Sequence, residues 1–202
     1  MKEPGGGKVR RSPTLSVTPR SRREILEPIP IRARPLPQFV AARGLFTSSQ
    51  CKTLLEKTRF YRSDSESFGR RVDISYLKPE QFGWVFAKIA SVASRKNLWG
   101  LALSAISEPM RIQRYRRRDY SDPHSDYDYA TPDHSKLTVI VPLVDRRDWE
   151  GGMLEIGNSF LAPRMQQGDA VIFPSFSLHR VTPVTSGVRI VLSAWISGPP
   201  LR

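Results

Sequence analysis

Cysteine and histidine are scarce in this chain of 202 residues, which has one of the first and three of the second. A single cysteine, Cys51, excludes an internal disulfide and suits a reducing compartment. No apolar run approaches the roughly 18 residues that a membrane-spanning helix needs, so no membrane role is expected. The beginning of the chain lacks the apolar core of a secretory signal, so the expected location is the cytoplasm. Its Arg/Ser-rich composition leaves organellar targeting open, although its prolines and Gly5-Gly6-Gly7 oppose the amphipathic helix such a leader forms. Acidic groups are also in short supply, 19 against 32 Lys/Arg, for a net charge of +13. A balance of that sign favours acidic partners, nucleic acid among them, and says nothing about fold.

What is present divides into two parts. Residues 1–37 hold nine Lys/Arg and three Glu among prolines, glycines and serines, with no sustained apolar period. Such a segment cannot offset the entropy of ordering and is expected to be a basic, disordered tail. The pattern changes at Gln38, and residues 38–202 are expected to form one domain. Thr47 or Ser48 offers a helix N-cap ahead of Cys51, Leu54, Leu55 and Thr58. Pro79 suits the first turn of a second helix with Phe82, Val85, Phe86, Ile89, Ala90 and Ala93 on one face.

Beyond Leu101 the period shifts toward two. Short runs such as "RIQRY", "KLTVIVPLV", "DAVIFPS", "SLHRV" and "VRIVLSAWI" alternate with turn signals, among them Gly151-Gly152 and Thr185–Gly187. Seven or eight strands without intervening helices predict an antiparallel sandwich or jelly roll with the two front helices packed on one sheet. In the last strand Val188, Ile190, Leu192, Ala194 and Ile196 form an apolar face. Arg189, Val191, Ser193 and Trp195 form a mixed one. One face packs on a core layer, and the other looks into something that wants an arginine.

"DPHSDYDY", residues 122–129, reads as a solvated acidic turn or as half of a metal site. His124 and Asp126 leave the same face of a strand, and His179 follows 53 residues later. Two histidines and a carboxylate are the donor set of a facial triad that binds Fe(II) and leaves the opposite positions open. H-x-D alone arises often by chance. Arg189 adds weight: if residues 179–196 form a hairpin around Thr185–Gly187, His179 opposes Ser193 and Arg189 lies on that face. The separation is then about 13 Å at roughly 3.3 Å per residue, a span suited to a five-carbon diacid. His134 and Asp128 read as loop residues and Arg116, Arg117 and Arg118 as a solvated run.

The segments "RRVDISYL", "RYRRRDYSDPHSDYD", "KLTVIVPLVDRRDWEGGMLEI" and "QQGDAVIFPSFSLHRVTPVTSGVRIVLSAWISGP" together resemble the iron(II)/2-oxoglutarate-dependent dioxygenases. The likeness is to the prolyl 4-hydroxylase-like branch that includes the PKHD-type hydroxylases, and spans roughly residues 60–198. It implies a mainly β double-stranded β-helix with flanking helices, using Fe(II), 2-oxoglutarate and O2, with ascorbate as a candidate reductant. It also implies an oxidoreductase that hydroxylates a C–H bond of a protein or small-molecule substrate, releasing succinate and CO2. By position, His124, Asp126 and His179 match the iron ligands, and Arg189 matches the residue for the distal carboxylate of 2-oxoglutarate. Tyr115 matches a tyrosine that bonds the same co-substrate, and Trp195 an aromatic lining the pocket. The family often has a second tyrosine three residues before the first ligand; here Tyr120 lies four before it. "RIVLSAWI" lacks the second arginine of the AlkB-like demethylases. A non-catalytic nucleic-acid- or ribosome-binding module on the same scaffold would be expected to have broken ligands, and all three are intact.

Overall fold

The structure is a computed structural model that describes residues 35–65, 70–106, 109–127 and 134–200; of 62–65 and 70–71 it describes the backbone only. The expected basic tail and Asp128 lie, apart from residues 35–37, outside the described residues. A compact unit runs from Leu36 to Arg202.

Two helices form as their sequences predict. Helix α1 (Ser48–Glu56) is capped by Thr47, whose Oγ1 accepts from the Gln50 N–H while the Gln50 side chain accepts from the Thr47 N–H. This reciprocal pair satisfies two donors that a helix start leaves open. Helix α2 (Pro79–Lys96) begins at a proline whose missing N–H costs nothing there. Its inward stripe is Phe82, Val85, Ile89, Val92 and Ala93; Ala90, expected on that stripe, is exposed. The stripe drifts because 3.6 residues per turn bring position 92, not 90, back over 85 and 89.

Apart from one 3-10 turn at Arg146–Asp148, the remaining elements are strands: β1 (Val40–Ala42), β2 (Tyr61–Ser65), β3 (Arg70–Tyr76), β4 (Ala105–Ile106), β5 (Arg111–Tyr115) and β6 (Ser121–His124). After them come β7 (His134–Pro142), β8 (Trp149–Gly151), β9 (Leu154–Ile156), β10 (Ala170–Pro174), β11 (His179–Val181), β12 (Val184–Gly187) and β13 (Arg189–Gly198). Every pairing between them is antiparallel. The hydrogen-bonded order β1-β10-β7-β13-β5-β3 continues into β6-β11-β9, while β12 and β8 form a separate ribbon. This is the jelly-roll architecture, with the helices packed on the β10-β7-β13 region. Among the described residues three strands precede Leu101, where the sequence pattern showed none: β1 is too short to display a period, and β2 and β3 mix charged with apolar residues.

The expected hairpin between residues 179–181 and 189–196 does not exist. His179 opposes His124 on β6, and β11 also pairs β9. The intervening segment does not turn back but forms β12 against β8, so the chain crosses between sheets. Gly187 makes the crossing possible. It sits at φ +70, and a Cβ there would lie 2.0 Å from the Asp148 carbonyl oxygen.

Strand β13 is covered on both sides, as its two faces require. Leu192, Ala194 and Ile196 join Leu137, Val139, Val141 and Ile172 beneath Cys51, Leu54, Val85 and Ile89. Each fully buried aliphatic side chain of this layer contributes roughly 1.5–3 kcal/mol. Burial pushes the Cys51 thiol up to about 11, in keeping with a packing residue. The opposite face of β13 looks into the cavity between the sheets.

Candidate metal centre and anion-binding cavity

Antiparallel pairing of β6 with β11 brings His124 and His179 side by side, their ring centroids 4.3 Å apart. Asp126 follows two residues after His124, its backbone held by an N–H donated to the Ser175 carbonyl at 2.8 Å. Its Oδ1 lies 3.6 Å from His124 Nε2 and its Oδ2 3.4 Å from His179 Nε2. One ligand atom from each of the three residues falls within 4.8 Å of the others. Ligands about 2.1 Å from one ion and at right angles sit about 3 Å apart, so a small inward adjustment suffices.

The tautomers also fit a metal. Nδ1 of His124 is 2.7 Å from the Asp122 carbonyl oxygen, and Nδ1 of His179 is 3.0 Å from that of Ser177. A carbonyl only accepts, so each Nδ1 carries a proton, and in the neutral ring each Nε2 is left with its lone pair facing Asp126. Thr138 Oγ1 donates to Asp126 Oδ2 at 2.8 Å and shares a further hydrogen bond with the Ser175 hydroxyl. Phe173 packs against His179 in a T-shaped contact, ring centroids 4.9 Å apart.

Arg189 opens β13 opposite Tyr115 of β5. It is 2% exposed, one of the largest fully enclosed side chains, and its Nη1 has no hydrogen-bond partner. Its guanidinium carbon lies 4.9 Å from the Tyr115 ring centre and 5.7 Å from that of Trp149. Burial lowers its pKa first; Tyr115 opposes this, and the charge of Arg146 adds to it. An enclosed cation with an open donor is costly unless an anion meets it. Tyr115, His124, Asp126, His179, Arg189 and Trp195 line one cavity. The arginine and the two imidazoles thus reach the same space from different parts of one sheet path, although the hairpin expected to join them is absent. A divalent ion at the triad and a carboxylate at Arg189 both fit the donors present.

Trp195 is buried beside the cavity, with Arg111 stacked 4.7 Å from its ring centre. Tyr120 is not among the residues lining it. His134, expected in an exposed loop, instead opens β7 and is 8% exposed, stacked on Tyr127. Its flat ring covers an aromatic that polar neighbours in the sequence concealed. The arginine run is partly tied down, Arg116 sharing Asp73 with Arg114. Sequence reasoning missed Thr138, Trp149 and Gly152. A Cβ on Gly152, which has φ +53, would lie 3.0 Å from Arg189 Cδ and 2.8 Å from Val184 Cγ2. The glycine pair was legible as a turn; that it clears room for the arginine was not.

Comparison with known proteins accords with this arrangement. Residues 110–197 match the 2OG-Fe(II) oxygenase superfamily. The matched span holds all three residues of the triad and Arg189. A PKHD-type hydroxylase of Synechococcus sp. is 44% identical over 87 residues, 42% of this chain and 40% of that protein. The chain therefore aligns with less than half the length of the curated relatives it matches. Among solved structures, a viral collagen prolyl hydroxylase from Paramecium Bursaria Chlorella virus-1, crystallised with 2OG, superposes with TM-score 0.65 at 18% identity. That alignment covers 80% of this chain and 97% of the viral one. A Pseudomonas putida prolyl-4-hydroxylase gives TM-score 0.61 at 15% identity, covering 81% and 94%. The sequence likeness is thus to 2OG-Fe(II) oxygenases and PKHD-type hydroxylases over less than half of the chain, and the structural likeness to prolyl hydroxylases is one of fold. The superfamily uses Fe(II), 2-oxoglutarate and O2. No helix among the described residues is long and apolar enough to cross a membrane.

Proposed function

We propose that the chain is an Fe(II)- and 2-oxoglutarate-dependent hydroxylase that converts a substrate C–H bond to C–OH. One O2 and one 2-oxoglutarate are consumed, and succinate and CO2 are released. The observation that carries this reading is the triad: three ligand atoms converge, and each imidazole has its Nδ1 against a backbone carbonyl, which leaves Nε2 for a metal. His124, Asp126 and His179 would hold the ion, and Arg189 with Tyr115 would hold the distal carboxylate of 2-oxoglutarate. Bound there, ferrous iron would supply the activation of oxygen coupled to oxidation of the keto acid.

The chain's own contribution is orientation and exclusion of water. Asp122 and Ser177 fix the imidazoles through their carbonyls, and Thr138 fixes the carboxylate. Two neutral imidazoles and one carboxylate leave a ferrous ion with a net positive charge, which a chelating acid neutralises. The guanidinium fork of Arg189 matches a carboxylate in two parallel hydrogen bonds, and its burial strengthens them. Ile140, Leu154, Val181 and Val191 line the rest of the cavity with hydrocarbon. Those walls keep water from a reactive centre. Among the described residues no separate acid–base cluster stands beside the triad, and hydroxylation of a C–H bond needs none.

The substrate we favour is a protein side chain, prolyl or similar, because the solved neighbours include prolyl hydroxylases and the relatives are PKHD-type hydroxylases. Cytoplasmic location, a role of residues 1–37 as a basic docking tail and a domain boundary near residue 38 belong to the same reading. Incubating the protein with Fe(II), 2-oxoglutarate, ascorbate and cell lysate should yield peptides heavier by one oxygen, found by mass spectrometry. A lysate unchanged under these conditions, with no succinate formed, would count against catalysis and for a binding module.

A further inference from the structure

Arg189 is also a wall of a second cavity, of about 270 Å³, which contains none of the triad. Three more arginines line it, Arg43, Arg146 and Arg164, together with Trp149 and Met165, and no carboxylate is among its lining residues. Arg43 is already committed, its guanidinium paired to Asp169 at 2.5 Å. Arg146 stacks 4.0 Å from the Trp149 ring centre and donates only to the Trp149 carbonyl and the Met153 sulfur. Arg164 is exposed and makes no ion pair among the described residues. Trp149 thus carries Arg146 at 4.0 Å and Arg189 at 5.7 Å, two cations on one indole with no anion between them. Three of the four lining arginines, Arg146, Arg164 and Arg189, thus gather around an apolar floor with no ion pair shown for them, and such a site is complete only when an anion enters.

We propose that this cavity is a second anion site, for a compact multivalent anion such as a small polycarboxylate or a phosphate compound, and that its occupation weakens binding of 2-oxoglutarate. Its volume excludes a polymer strand and suits a small metabolite. The coupling follows from the shared residue: one guanidinium, enclosed on all sides, would face an anion in each cavity, and the two anions repel. Reciprocity then requires that each ligand weaken the other by the same factor. The antagonism rests on the reading that Arg189 holds 2-oxoglutarate; the anion site itself does not.

Calorimetric titration of the full-length protein with citrate and with pyrophosphate, at constant ionic strength, tests the site without turnover. Saturable binding of either is expected, citrate alone marking a carboxylate ligand and pyrophosphate alone a phosphate one. Arg164→Gln, which disturbs no internal contact, should weaken that binding about tenfold, and Arg146→Gln should do likewise. With Fe(II) present and O2 excluded, the bound anion should raise the apparent Kd for 2-oxoglutarate about tenfold, within the usual range of coupling. No saturable binding would overturn the proposal. So would binding that Tyr115→Phe weakens and Arg164→Gln does not, since the anion would then sit in the front cavity. Unchanged 2-oxoglutarate affinity would remove the antagonism. Failure of 2-oxoglutarate to bind the wild type would instead reject the reading of the front cavity, with the anion titration still deciding the rear one.

Discussion

The two faces of β13 divide the molecule's labour. The even-numbered face, Leu192, Ala194 and Ile196, is hydrocarbon packed under two helices. The odd-numbered face carries Arg189, Gln113-bonded Ser193 and Trp195 into a cavity. One face holds the fold together and gains nothing from a ligand. The other contains an enclosed guanidinium with an open Nη1, a feature that costs stability until an anion arrives. Same strand, adjacent residues, opposite purposes: stability and function here alternate with period two.

Substitutions that respect or violate this division should separate cleanly. The largest effect is expected from His179→Ala, which removes a proposed ligand and should abolish retention of Fe(II), read by metal analysis after gel filtration, with the fold intact. Arg189→Met should weaken 2-oxoglutarate by about two orders of magnitude, as loss of one partner of a buried charged contact does. Its melting temperature should stay level or rise, because an enclosed cation gives way to a packed apolar chain. A clear fall in melting temperature would show that Arg189 is structural and blur the contrast. Leu192→Ala, one residue away in face, should do the reverse: a loss of about 2–5 kcal/mol in denaturant unfolding with 2-oxoglutarate affinity unchanged in the folded protein. Thr138→Val, which leaves Asp126 without its donor, should lower Fe(II) affinity about 10–100-fold, measured by chelator competition. The smallest effect should come from Thr47→Ala, about 1 kcal/mol of stability through the lost cap and nothing at the site.

Cys51 adds a test by pH on the packing side. Its thiol is raised from 9.0 to about 11 by burial, so the folded state binds a proton that the unfolded state releases earlier. Stability should therefore fall as pH rises between those two values, and Cys51→Ser should flatten that slope.

How much of this was legible beforehand depended on range. Local signals read well: the Thr47 cap, Pro79 at a helix start, and the two faces of β13 are all written within a dozen residues. The three side chains that the structure brings together could also be singled out, because only three histidines exist and His124 has a carboxylate two positions on. Pairing did not read well. The sequence spacing of His179 and Arg189 suggested a hairpin, whereas β12 leaves to join β8 and the two residues come from strands in different parts of the sheet path. A period of two says which face a residue takes and not which strand lies beside it. Thr138 and Gly152 were missed for the same cause, since their importance lies wholly in partners 12 and 37 residues away in the chain.

Anaerobic addition of 2-oxoglutarate to the Fe(II)-loaded protein, followed by visible absorption, addresses the assembled cavity most directly. A weak charge-transfer band that saturates with the keto acid, and that His179→Ala and Arg189→Met each diminish, is the expected result. A spectrum that does not change, from a protein shown to be folded, would mean that the converging imidazoles and the enclosed guanidinium do not form one centre.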